Sequence, residues 1–159
     1  MPQWGEHMIT VESDVVIQKP VEEVFAFVSE RSNESKWHTD IVEVRPAPDS
    51  RGSPGGNLSA SWTLGSTWLV TVKFMGRKEY LVEITGVELN RQIQFTTLTG
   101  PVRPITTYLF ETAPGGTRFI RHVEIPLHGV LRAMKPLMRK SVEKRNARFV
   151  ENLKRLLEQ

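Results

Sequence analysis

The chain has 159 residues, 39% of them hydrophobic and 25% charged, with a formal net charge of +3 at pH 7. That length suits one domain with one substantial core, and the composition is that of a folded globular protein rather than a disordered or membrane-embedded one. The absence of cysteine excludes disulfides, thiolate catalysis and sulfur-ligated zinc.

ITVESDVVIQ (residues 9 to 18) mixes β-branched and polar residues and stops at Lys19-Pro20, which predicts a first strand. Pro20 then opens a helix: PVEEVFAFVSE carries acids in its first turn and sets Val21, Val24, Phe25 and Val28 on one stripe. Ser32 or Asn33 is placed to cap a second short helix reaching Trp37, before IVEVRP (41 to 46) reads as a strand closed by its proline. The next stretch, APDSRGSPGGNLSASWTLGS, is rich in Pro, Gly and Ser and too long for a simple hairpin turn.

From Thr67 to Pro126 the pattern is that of an antiparallel meander, with strands expected at 67–75, 78–86, 91–99, 105–113 and 117–126. Turn chemistry separates them at Gly76-Arg77, Glu88 to Asn90, Gly100 to Pro104 and Pro114-Gly115-Gly116. With the two earlier strands this makes a seven-stranded sheet, whose apolar face needs a cover.

The cover is the last segment. At about 100° per residue, Leu131, Met134, Met138, Val142, Phe149, Leu153 and Leu156 fall within about one third of a helix circumference. Pro136 is expected to kink this helix or to mark its true start, and the stretch from Leu137 to Gln159 would span about 33 Å. The stripe is interrupted at Arg145 and Asn146, which predicts a gap in the core beneath them. Residues 129 to 159 also carry nine Lys or Arg against three Glu, a local charge of +6, so the remainder of the chain is at −3. Such a face is either the solvated side of the helix or an attractor of anionic partners.

No apolar run reaches the about 18 residues needed to cross a bilayer, so no transmembrane segment is expected. The opening MPQWGEHMITVESD lacks the pattern of a secretory leader, and a cytoplasmic location is expected. His7, His38, His122 and His128 are scattered, with no metal-ligand spacing. His38, at a helix end, is expected to be exposed or capping, and His122 to point outward beside Glu124. GGNLSASWTLG lacks the lysine of a phosphate loop. Neither a metal nor any other cofactor is expected.

VVIQKPVEEVFAFVSE, SKWHTDIVEV and GGTRFIRHVEI, in this order with the meander and long last helix, resemble the START-like helix-grip superfamily (SRPBCC), specifically its polyketide cyclase/dehydrase-type members. The resemblance covers nearly the whole chain and implies a single α+β domain over residues 1–159: a curved seven-stranded antiparallel sheet wrapped around a long C-terminal helix, with two short helices between strands 1 and 2. It further implies an apolar cavity between sheet and helix that takes a small hydrophobic or amphipathic molecule such as a lipid or polyketide.

Matching the last hairpin to that pattern turns Phe119, Arg121, Val123 and Ile125 inward and Arg118, Ile120, His122 and Glu124 outward. Related sequences usually place an apolar or aromatic residue where this chain has Arg121. A buried guanidinium needs a partner or water. Arg121 therefore either anchors an anionic oxygen of a ligand or reaches the rim or a nearby Glu for structural reasons. In the first case the ligand body would pack on Trp68, Phe74, Tyr80, Phe95 and Tyr108. Arg145 and Asn146 would face the same space from the helix. Trp62 would act as a lid or would staple its loop, and the tyrosines would serve as hydrogen-bond donors or as core residues with satisfied hydroxyls.

Three functions fit: a non-catalytic carrier or sensor; a cyclase, aromatase or dehydratase working through Arg121, Tyr108 and Asn146; or an interaction module using the basic helix face at Lys140, Lys144 and Arg148. The first is favoured because no acid–base pair can be assigned, and nucleic acid is not an expected partner.

Overall fold

The computed structural model describes residues 7–48 and 63–159. β1 (Met8–Ile17) leads through Pro20, whose φ of −62° suits a helix entrance, into α1 (Val21–Ser29). A single 3₁₀ turn (Arg31–Asn33) runs directly into α2 (Glu34–Trp37), and β2 (Ile41–Pro46) follows. β3 (Thr67–Lys73), β4 (Arg77–Glu88), β5 (Gln92–Thr97), β6 (Ile105–Ala113) and β7 (Gly116–Pro126) form the meander. A second 3₁₀ segment (Gly129–Met134) then leads into α3 (Lys135–Leu157).

Among the described residues the seven strands make one antiparallel sheet in the order β1-β7-β6-β5-β4-β3-β2, in which the β1–β7 pairing joins the two ends of the sequence order. That pairing places Ser13 opposite Arg121, and β6 places Tyr108 opposite Arg121 on the other side. Gly116 makes the β6–β7 turn possible beside β1: a Cβ there would lie 2.0 Å from the Ile17 carbonyl oxygen. The register shifts at Ile41/Glu43 and Ile84/Gly86 are irregularities of the kind that bend a strand locally. The architecture is the helix-grip one expected, with β3 ending two residues early because Met75 (φ 53°) and Gly76 (φ 107°) form the turn.

Of the two readings of Pro136, the one that marks the true start of the helix holds. Pro136 sits in the first turn of α3 and does not kink it, because the missing amide lies where no intrahelical bond is made. Residues 129–134 form a 3₁₀ segment instead, at about three residues per turn, so the 100° stripe does not continue into them. Leu131 still packs on the core, whereas Met134, expected on the buried stripe, is 46% exposed.

Burial concentrates at one end of the sheet. Phe25, Trp37, Tyr108, Phe110 and Phe119 interlock there with Phe149, Val150 and Leu153 of α3. At the other end, smaller clusters form around Ile9, Val11 and Val123 and around Ile41, Val70 and Val82.

Candidate functional site

Between the two small clusters and α3 lies a cavity of about 320 Å³. Its walls are mainly apolar, supplied by Val70 and Val82 on one side, Val123 and Ile125 on another, and Met138 and Val142 from α3. Its inner end is polar: Arg31, Glu34, His38, Arg121 and Asn146 all line it and all are buried. At the outer end, Phe74 and Lys78 are exposed, which puts the mouth at the β3–β4 hairpin.

Arg121 reaches the cavity because β7 alternates Phe119, Arg121 and Val123 towards the helix layer. Its residual exposure is 7%, so it does not escape to the rim. Nη1 donates to Asn146 Oδ1, and Asn146 Nδ2 donates back to the Arg121 carbonyl at 3.0 Å. The guanidinium also lies 5.3 Å from the Phe149 ring centre and 5.9 Å from that of Tyr108. Its Nε bonds no group among the described residues.

A buried carboxylate joins this cation from α2. Glu34 Oε1 accepts a 2.8 Å hydrogen bond from the Tyr108 hydroxyl, and Oε2 stands 3.8 Å from Arg31 Nη1. Burial pushes the Glu34 carboxyl above the usual range, against the opposing pull of Arg31, the Tyr108 hydroxyl and Arg121. Burial lowers the Arg31 guanidinium to about 10, with Glu34 and Tyr108 opposing. The Tyr108 hydroxyl is pushed well up, first by burial and then by the Glu34 charge, so it remains a proton donor.

His38 stacks on Phe149 at 3.9 Å with the planes 21° apart. Burial, then the charges of Arg121 and Arg145, hold its imidazole well below the ordinary value, so it is neutral at pH 7. Its Nδ1 bonds no group among the described residues. Arg145 closes this side: Nη2 meets Asp40 at 2.6 Å and the guanidinium covers the Phe74 ring at 3.9 Å. Away from the mouth, three guanidiniums, those of Arg31, Arg121 and Arg145, face two carboxylates, Glu34 and Asp40. The excess is one positive charge with Glu34 ionised and two with it protonated.

Of the residues singled out from sequence, Arg121, Phe74, Tyr80, Phe95, Arg145 and Asn146 line the cavity. Trp68 and Tyr108 stand one layer behind it: Trp68 donates to Ser66 Oγ at 3.0 Å with Arg31 over its ring at 4.8 Å, and Tyr108 is spent on Glu34. Trp62 lies outside the described residues. His122 does point away, against Glu12 at 3.0 Å and Glu124 at 3.7 Å. His38 departs from expectation. Its backbone does cap α2, donating to the Glu34 carbonyl at 2.9 Å, but its ring is turned inward and buried because Phe149 offers a stacking surface. Sequence reasoning passed over Arg31 and Glu34 altogether. Their signal was the i, i+3 spacing of opposite charges beside Trp37, in a segment otherwise destined for the core.

The fold recurs in proteins of low sequence identity. The Thermus thermophilus protein TTHA0849 superposes with a TM-score of 0.72 at 16% identity, over 94% of this chain and 97% of that one. The di-domain ARO/CYC BexL from the BE-7585A biosynthetic pathway gives 0.72 at 14% identity, over 97% of this chain and 51% of that one. Ara h 8.0201 gives 0.61 at 14% identity, over 95% and 98%. No curated protein matches the chain. Among the described residues no helix is long and apolar enough to cross a membrane. The family model described as polyketide cyclase / dehydrase and lipid transport matches residues 8–158, and the chain belongs to that family.

Proposed function

We propose that this protein is a carrier or sensor of a small, largely apolar molecule that carries an anionic oxygen, a carboxylate or an acidic enol or phenol. The observation that carries the reading is the excess of buried positive charge at the inner end of an otherwise apolar cavity. Buried guanidinium is costly without a counter-charge, and an anionic oxygen at Arg121 supplies one through a charge-assisted hydrogen bond. The aliphatic walls then take the ligand body. Native mass spectrometry of freshly purified protein, followed by denaturing extraction, tests this. A stoichiometric acidic adduct, weakened by Arg121→Leu, is expected. A mass without adduct that stays unchanged after soaking in fatty acids and aromatic polyketides contradicts it.

A second reading is favoured by Glu34 and His38, an acid–base pair that lines the same cavity. In a cyclase or dehydratase, neutral His38 would take a proton from the carbon next to a carbonyl, and Arg121 would hold the resulting enolate oxygen. The carbon would attack a second carbonyl, and Glu34 in its protonated form, which burial favours, would supply the proton to the new alkoxide. The ARO/CYC likeness agrees with this chemistry without assigning it. Conversion of a poly-β-ketone thioester, abolished by both Glu34→Gln and His38→Ala while the adduct is retained, distinguishes the enzyme from the carrier.

A further inference from the structure

We infer that the mouth of the cavity docks on an anionic lipid surface, through the 3₁₀ segment 129–134, the first turns of α3 and the tip of the β3–β4 hairpin. Val130 and Met134 on the 3₁₀ segment and Leu137 in the first turn of α3 are large apolar residues left outside the core. They are 84%, 46% and 69% exposed, whereas Leu131 and Met138 pack on the core. The fold thus buries part of the apolar surface of this segment and leaves part of it exposed.

The second apolar element stands across the mouth. Phe74 is 42% exposed and Met75 88%, and Met75 holds a left-handed φ of 53° at the hairpin tip. Glycine or asparagine ordinarily occupies such a position, so a large apolar side chain is presented to the outside at some conformational cost. Lys78 on the same hairpin and Met138 and Val142 on α3 all line the cavity, which places the two elements at one opening.

Charge identifies the occupant. Residues 129 to 142 contain Arg132, Lys135, Arg139 and Lys140 and no carboxylate. Arg139 is paired with Glu143 at 2.9 Å, but Arg132 and Lys140 enter no ion pair among the described residues. Cations interleaved with exposed aliphatic side chains on a short helix are the pattern of an interfacial segment, in which the apolar stripe enters the acyl boundary and the cations meet anionic headgroups. A nucleic acid backbone would engage the cations and leave Val130, Leu137 and Met75 wet, so it fits the surface less well. Such docking would let an apolar molecule pass between bilayer and cavity without crossing water, but it does not depend on what the cavity holds.

The test is flotation of the full chain with phosphatidylcholine vesicles, with and without phosphatidylglycerol. Binding is expected only to the anionic vesicles and should weaken as salt shortens the Debye length from about 30 Å at 0.01 M to about 8 Å at 0.15 M. Lys140→Gln should lower vesicle affinity about fivefold, and Leu137→Glu by roughly ten- to a hundredfold. Both sites are exposed, so melting temperatures should be unchanged, and a Leu137→Trp variant should show a blue-shifted emission when anionic vesicles are added. The inference is overturned if the protein stays unbound at low salt. It is equally overturned if Leu137→Glu floats as well as the parent, or if single-stranded DNA is bound while the vesicles are not. None of these readouts requires the cavity ligand, so failure here leaves the binding proposal standing.

Discussion

At one end of the curved sheet, Phe25, Trp37, Tyr108, Phe110 and Phe119 meet edge to face or tilted with centroids between 5.0 and 5.9 Å apart, while at the other the cluster of Val70 and Val82 and that of Val123 and Val142 line a cavity. The same strands and the same helix serve both ends. What differs is the third element: α1 and α2 press their Val24, Phe25, Val28 and Trp37 into the filled end, whereas among the described residues the hollow one is covered by the 3₁₀ segment and the first half of α3. The polar residues are gathered at the boundary, where aromatic rings on one side hold Arg121, Glu34 and His38 in place and the cavity on the other leaves them reachable. A rigid aromatic half thus positions the groups, and the hollow half supplies the space into which they face.

The largest effects should come from breaking the filled end. Phe119→Ala, at a fully buried position touching three other rings, should cost about 3–5 kcal/mol, and a denaturant titration will measure it. Gly116→Ala should also be severely destabilising, because its methyl group would meet the Ile17 carbonyl and part β1 from β7. A loss below about 1 kcal/mol in either case would show that the aromatic end is not the rigid part.

In the hollow end the order reverses, with small costs in stability and large ones in binding. Val142→Phe adds volume where the cavity has room, so its melting temperature should stay within a few degrees of the parent. Its capacity for extracted ligand should fall by at least tenfold. A destabilisation like that of Phe119→Ala would mean that the space is not available in solution.

The boundary residues should show themselves in pH dependence. His38 has its folded value lowered by burial, so above pH 6.5 both folded and unfolded forms are neutral and it contributes nothing to the slope. As pH falls below about 6.5 the unfolded chain binds a proton that the folded one refuses, and stability drops by up to about 1.4 kcal/mol per pH unit. His38→Phe should remove that part of the slope. Identical profiles for the two proteins between pH 6.5 and 5 would place the ring in solvent.

How much of this was legible in the sequence follows from the range of the forces involved. Strands and turns were legible because glycine, proline and period-two alternation are local signals, and Arg121 stood out because alternation assigned it a side. The interruption of the α3 stripe at Arg145 and Asn146 correctly marked polar residues facing the sheet. The inward turn of His38 was not legible, since a four-residue helix has too few turns to show a face, and Glu34 left only its i, i+3 charge pairing with Arg31, its burial being set by Tyr108, 74 positions away. The exposure of Met134 was not legible because the residue sits at the junction of the 3₁₀ segment and α3, where no single period runs through.

The most direct test of the central claim is a thermal-shift cycle. A long-chain carboxylic acid and its methyl ester are each added to the parent protein and to Arg121→Leu. The account predicts that the acid stabilises the parent more than the ester does, by a margin corresponding to about 1.5–3 kcal/mol for a hydrogen bond to a charged group. That margin should vanish in the variant. Equal stabilisation by acid and ester in the parent, or a margin that survives the loss of Arg121, would contradict it.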